Sequence, residues 1–259
     1  MTSIQMAINS GCGWRFLSLE ERFAAFRKAG FQSVLLWWGE GEKESRKERV
    51  ALAKSSGLEI VDVHAEMSQS NSIWLSGAQG EQKICEYIAT VEECAKCGIE
   101  RMVIHLTNGD TPPDISTIGL KRIERLMASA VRNDVILAIE NVRVDAHIKF
   151  ILDYYKEKHV ALCYDAGHAN LWCKDTDWLS LYKDRIAAVH LHDNNGEEDE
   201  HNIPFRGTVD WKNVMPKMKA SSYNGCLPLE TDCRGIDDGE QFEDFLNAIY
   251  ESGLKLSIL

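Results

Sequence analysis

VILAIENV (135–142), VALCYDAGH (160–168), IAAVHLHD (186–193) and CLPLETD (226–232) share one design: a short apolar run, rich in strand-forming residues, that ends in a carboxylate or an imidazole. Each run follows a helical pattern, so each reads as a buried parallel strand whose carboxyl end carries a ligating group. The polar ends are Glu140, Asp165 with His168, His190, and Glu230. Two glutamates, an aspartate and a histidine converging at such ends would hold a divalent metal ion.

The same rhythm extends outward in both directions. Strands are predicted at 4–9, 31–38, 58–64, 99–105, 135–140, 160–165, 186–190 and 226–230. Helices are predicted at 18–30, 44–56, 79–97, 115–133, 146–158, 176–184, 210–220 and 239–252, several of them stopped by glycine. Strict strand–helix alternation over 259 residues is the pattern of an α/β protein with a (β/α)8 TIM barrel, read here as one domain over 1–259. A doubly wound open sheet has the same alternation. Closure is favoured because most of the strand ends bear ligand-type residues, which meet at one point only if the strands surround an axis. The long connections, 67–78 and 193–209, are expected to form functional loops over the barrel mouth.

A net charge of −11 and a pI near 5.2 oppose non-specific attraction to nucleic acid or anionic membrane, so a small-molecule partner is expected and nucleic acid is disfavoured. No apolar stretch approaches the roughly 20 residues that span a bilayer, and the start MTSIQMAINSGCGW lacks a basic segment followed by a long apolar one. A soluble, cytoplasmic protein is expected, with a homo-oligomer left open. The eight cysteines are scattered and read as reduced thiols, and the Cys94/Cys97 pair closes a helical pattern without a second pair to complete a zinc site.

By strand, the candidates are His64 after the third, His105 after the fourth, Glu140 after the fifth, Asp165 and His168 after the sixth, His190 after the seventh and Glu230 after the eighth, with Asp199 and His201 in the long loop. Glu140, Asp165, His190 and Glu230 make an oxygen-rich set with one nitrogen, suited to Mn²⁺, Mg²⁺, Co²⁺ or Zn²⁺. The remaining histidines either orient a sugar and the ligands or hold further metals, which leaves His64, His105, His168, Asp199 and His201 as additional metal candidates. Of Trp37 and Trp38, strand alternation sends one ring to the core and the other over the mouth, and Trp38 is taken as the ring at the substrate. Arg234 beside Gly235 is the single phosphate-type signal in the last loop.

These motifs together resemble the xylose-isomerase-like barrel superfamily, over essentially the whole chain. The most specific pieces are IEN at 139–141, DxxH at Asp165 and His168, HLHD at 190–193, DxHxxPxxG from Asp199 to Gly207, and LET at 229–231. That superfamily includes sugar and sugar phosphate isomerases and epimerases, and the endonuclease IV type of apurinic-site nuclease. In the ketose 3-epimerase branch, the resemblance implies a Mn²⁺-like ion on Glu140, Asp165, His190 and Glu230. It also implies that the two glutamates exchange substrate protons and that His168 and Arg206 contact the sugar. In the nuclease branch it implies three zincs shared among His64, His105, Glu140, Asp165, His168, His190, Asp199, His201 and Glu230. The segment 67–80 has no lysine or arginine and 193–209 has only Arg206, which offers little to a DNA backbone. The expected activity is therefore a divalent-metal-dependent sugar or sugar phosphate isomerase or epimerase, with His64, His105, His168, Arg206 and Trp38 binding substrate. It would work through an enediolate with Glu140 and Glu230 as acid and base; the alternative is the trinuclear-zinc phosphodiesterase.

Overall fold

The computed structural model describes residues 5–236 and 239–259. Ile4, at the predicted start of the first strand, lies outside them. The chain runs β1 (Met6–Asn9), α1 (Leu19–Ala29), β2 (Ser33–Trp37), α2 (Arg46–Ser55), β3 (Glu59–His64), α3 (Ala78–Cys97), β4 (Arg101–Ile104) and α4 (Thr117–Asn133). It continues with β5 (Ile136–Glu140), α5 (Asp145–Tyr154), β6 (Val160–Asp165), α6 (Ala166–Leu171), α7 (Trp178–Leu181), β7 (Ile186–His190), α8 (Trp211–Lys219), β8 (Leu227–Leu229) and α9 (Gly239–Ser257).

The strands are parallel and neighbours in space follow chain order from β1 to β7, with β8 beside β1. Leu191 closes the ring: its N–H donates to the Pro228 carbonyl at 3.0 Å and its carbonyl accepts from Glu230 N at 3.1 Å. The sheet is thus a (β/α)8 TIM barrel. Local signals explain the helix boundaries. Ser18 and Ser45 each form a reciprocal capping box, with Glu21 and Glu48, and Gly30 ends α1 at φ 102°, a left-handed conformation that an L side chain resists.

Three expectations need correction. The predicted helix at 176–184 is one turn, α7, followed by a 3-10 turn at Lys183–Arg185, and α5 stops at Tyr154, short of 158. An unpredicted helix, α6, begins directly after Asp165, whose carboxylate caps it by accepting from His168 N at 2.6 Å. Among the described residues, no helix is long and apolar enough to cross a membrane.

The barrel interior is what positions the site. Val103, Ala138, Cys163 and Ala188, from β4 to β7, form a buried cluster of their own, apart from the large core between strands and helices. Successive strand residues face opposite ways, so the residues two positions later share that inward face. Those residues are His105, Glu140, Asp165 and His190.

Candidate metal centre

The small side chains of the inner cluster leave room for a polar layer directly above them. Glu140 is its hub, 1% exposed. Its Oε2 lies 3.1 Å from His64 Nε2 and 2.7 Å from His105 Nε2, and its Oε1 lies 3.0 Å from His190 Nδ1 and 3.6 Å from His168 Nδ1. His190 Nδ1 is also 3.1 Å from Glu230 Oε2 and 3.9 Å from Asp165 Oδ2. One ligand atom from each of Glu140, Asp165, His190 and Glu230 falls within 4.8 Å of all the others. The four residues predicted as the primary ligand set are therefore brought together.

Three further groups meet the same criterion: His64 with His105 and Glu140, Glu140 with Cys163 and His190, and His168 with His192, Asp199 and His201. In the last, Asp199 Oδ2 is 3.4 Å from both His168 Nε2 and His201 Nε2. His192 was missed as a site residue. Its Nε2 lies 3.1 Å from both Asp165 oxygens, and its ring stacks on His201 at 3.9 Å between centroids. The available signal was its spacing of two from His190.

Neighbouring side chains hold this layer in place. The Asn141 amide donates to the Asp165 carbonyl at 2.9 Å and accepts from Asp165 N at 2.7 Å, tying β5 to β6. Asp193 is wholly buried, accepting from Asn194 N, Val209 N, Phe205 N and the Trp211 indole at 2.8–3.0 Å, which folds the 193–209 loop around one carboxylate. Arg234, the phosphate candidate, instead donates to the Asp199 carbonyl at 2.9 Å and bonds Asp232 at 3.2 Å.

The tautomers favour a cation. His64 Nδ1 faces the Ala65 carbonyl at 2.9 Å, His168 Nδ1 the Asn141 carbonyl at 3.0 Å, and His201 Nδ1 the Glu230 carbonyl at 2.8 Å. A carbonyl only accepts, so each Nδ1 carries the proton and each Nε2 is left facing a carboxylate. An imidazole whose far N–H is fixed on a carbonyl is oriented to give its other lone pair to a metal. Without a metal, each Nε2 must be protonated to avoid two acceptors meeting. The titration of the groups agrees. Burial opposes a charge on His64 and His168, yet Glu140 raises the first and Asp165 with Asp199 raises the second to about 10. Burial likewise opposes charge on His201, but Asp199 and Glu230 raise it to about 9. Burial alone would raise the acids, but His190 and His105 hold Glu140 well below the carboxylate range, and His190 brings Glu230 down to about 2. His105 goes the other way, lowered by burial despite Glu140.

This layer floors a cavity of about 360 Å³ at the carboxyl ends of the strands. Asn9, Trp37, Met67, Thr107, Asn108, Arg143 and Trp172 wall it, above His64, His105, Glu140, His168, His190, Asp199, His201 and Glu230. Two predicted substrate residues are not among the lining. Trp38 is 1% exposed, donates its indole N–H to Glu93 at 3.0 Å and lies against Arg46, outside the barrel. The inward ring is Trp37, because Trp37 is in register with His64, and their rings lie 5.5 Å apart. Arg206 is exposed and does not line the cavity, and the cation in the wall is Arg143. The two histidines outside this layer have structural partners: His147 bonds the Pro113 carbonyl and His159 bonds Asp134, each at 2.9 Å.

Comparison with known proteins agrees with this architecture. The chain is similar to crystal structures of the D-psicose 3-epimerase of Clostridium cellulolyticum H10 with D-tagatose (13% identity, TM-score 0.76) and of the IolI protein with a bound zinc atom (13% identity, TM-score 0.75). Each likeness covers 98% of both chains, and at these identities it concerns the fold. It is also 26% identical over 155 residues to the protein y4fM of Sinorhizobium fredii, covering 54% of this chain and half of that one. The model of the family described as "xylose isomerase-like TIM barrel" matches residues 23–253, and the chain belongs to that family.

Proposed function

We propose that the protein is a divalent-metal-dependent sugar isomerase or epimerase that moves a proton on the carbon beside a carbonyl. The observation that carries this reading is the meeting of Glu140, Asp165, His190 and Glu230 within 4.8 Å on the floor of a small-molecule-sized cavity. Those residues would hold the ion, which when bound supplies positive charge that acidifies such a carbon. Glu140 and Glu230, from different strands, act as the proton-exchanging pair. Glu230 is the more open, with 13% of its side chain exposed against 1% for Glu140, and so is the better placed to reach a substrate carbon. Trp37 and Trp172 offer flat apolar faces to a sugar, while Asn9, Thr107 and Asn108 offer polar groups to its hydroxyls. The zinc bound by IolI and the D-tagatose bound by the psicose epimerase support metal and ketose as the classes to test first. With Arg234 engaged elsewhere, an unphosphorylated sugar is preferred over a sugar phosphate.

The direct test incubates the metal-loaded protein with a panel of ketoses and their phosphates in D₂O and follows deuterium entry by NMR. Solvent deuterium at a carbon next to the carbonyl supports the proposal, and none across the panel with every candidate metal counts against it.

One observation favours a second reading, a three-zinc phosphodiesterase: the primary ligand set and the His64–His105 group share Glu140, and the Asp199 group reaches it through His168, whose Nδ1 lies 3.6 Å from Glu140 Oε1. Against it, the wall's Arg143 is already paired with Asp110 at 2.8 Å and lies 4.4 Å from the Trp172 ring, leaving few free cations for a phosphate backbone. His64→Asn with His105→Asn separates the two. The isomerase reading expects one ion to remain bound. The phosphodiesterase reading expects bound metal to fall and cleavage of abasic DNA, present in the parent, to vanish.

A further inference from the structure

The β1–α1 and β8–α9 connections run side by side because β1 pairs with β8, with Ile8 opposite Leu229. Each carries a cysteine to the seam. Cys12 and Cys233 are both free thiols and both 2% exposed. The backbone N–H of Gly13 donates to Cys233 Sγ at 3.0 Å. Gly13 N is bonded to the carbonyl carbon of Cys12, so the Cys233 sulfur lies against the Cys12–Gly13 peptide. The geometry at Gly13 is fixed: φ is +86°, and the Phe242 ring comes within 2.7 Å of where a Cβ would stand.

The two sulfurs are chemically unequal. The neighbouring Cys12 thiol and the Gly13 N–H bring Cys233 down to about 7, whereas Cys233 and burial push Cys12 well up. One thiol is thus set to react as a thiolate and the other to resolve the product. The metal centre uses neither of them.

We propose that Cys12 and Cys233 form a reversible thiol–disulfide site that fastens the β1–α1 loop to the β8–α9 loop. The oxidant is a low-molecular-weight disulfide of the glutathione class. The Cys233 thiolate attacks one of its sulfurs, forming a mixed disulfide and releasing one thiolate. Cys12 gives its proton to that thiolate, and its sulfur attacks Cys233 Sγ and expels the second small thiol as a thiolate. Two protein thiols are oxidised, one small disulfide is reduced to two thiols, and excess thiol reverses both steps. Cys233 lies three residues after Glu230, Asp232 N donates to the His201 carbonyl at 3.0 Å, and Asn9 lines the cavity. The bridge therefore ties together two loops that carry cavity residues, whatever substrate the cavity takes.

The test treats the folded full chain with oxidised glutathione, blocks remaining thiols with N-ethylmaleimide in denaturant, and maps peptides by mass spectrometry. A Cys12–Cys233 bridge that disappears with dithiothreitol is expected. Cys12→Ser should instead leave glutathione on Cys233, and Cys233→Ser should leave Cys12 unmodified. Exposed Cys85 serves as the internal control for oxidant. If Cys85 carries glutathione while Cys12 and Cys233 are both blocked by maleimide, the proposal is overturned. Glutathione remaining on Cys233 in the parent, with Cys12 unbridged, overturns it equally, and neither outcome depends on a variant folding.

Discussion

Gly167→Ala tests the packing of the site against the intuition that alanine improves a helix. Gly167 lies in the first turn of α6, where propensity alone would credit alanine with about 0.5–1 kcal/mol. A Cβ there, however, would stand 2.6 Å from His192 Nε2 and closer still to Cε1 and Nδ1. Ordinary contact needs about 3.4 Å or more, so the ring must move by roughly 1 Å. It has nowhere to go: His192 is 0% exposed and stacks on His201 at 3.9 Å. Overpacking of this kind costs about 1–3 kcal/mol, which in a chain of this size lowers Tm by about 2–12 °C. The ring also carries the Asp165 carboxylate with it, since its Nε2 lies 3.1 Å from both oxygens. Losing such a support typically weakens metal binding about 10–100-fold. Thermal melting of the metal-free protein and calorimetric titration with Mn²⁺ and Zn²⁺ measure the two effects separately. A variant that melts above the parent and binds metal with unchanged affinity would refute the reasoning.

Three other outcomes follow from the same geometry. Glu140→Gln and Glu230→Gln should each lower turnover by at least about 10²-fold in the D₂O exchange assay, and full exchange by either variant with metal bound removes the two-carboxylate mechanism. Metal binding should release protons at pH 7, because His190, the one histidine of the proposed ligand set, is held protonated against its burial, well above its ordinary value, by Cys163, Glu230 and Glu140 and must free a ring nitrogen to ligate; affinity should rise with pH, and calorimetry in buffers of different ionisation enthalpy would expose an absence of release. Trp37→Ala should raise KM for the sugar with little loss of stability, whereas Trp38→Ala should cost about 3–5 kcal/mol and leave KM alone; the reverse pattern in kinetics and denaturant melts would restore Trp38 as the substrate ring.

What the sequence made legible were features with a short repeat. The fold could be read because eight apolar runs alternate with helical patterns, and the meeting of Glu140, Asp165 and His190 because each ends such a run on the inward face. Period-two alternation could also place Trp37 and Trp38 on opposite sides, but not say which faced in; that depended on the pairing of Trp37 with His64 across the sheet. His192 escaped because it lies beyond the apolar run of β7, although its spacing of two from His190 was the available signal. The roles of Arg206 and Arg234 depend on how the 193–209 loop folds back, and no local pattern encodes that path. The same limit explains the buried thiols. Cys12 and Cys233 stand at opposite ends of the chain, and only closure of the barrel, which sets β8 beside β1, gives either sulfur a partner. Local periodicity thus specifies which residues reach the mouth, and closure specifies which of them meet.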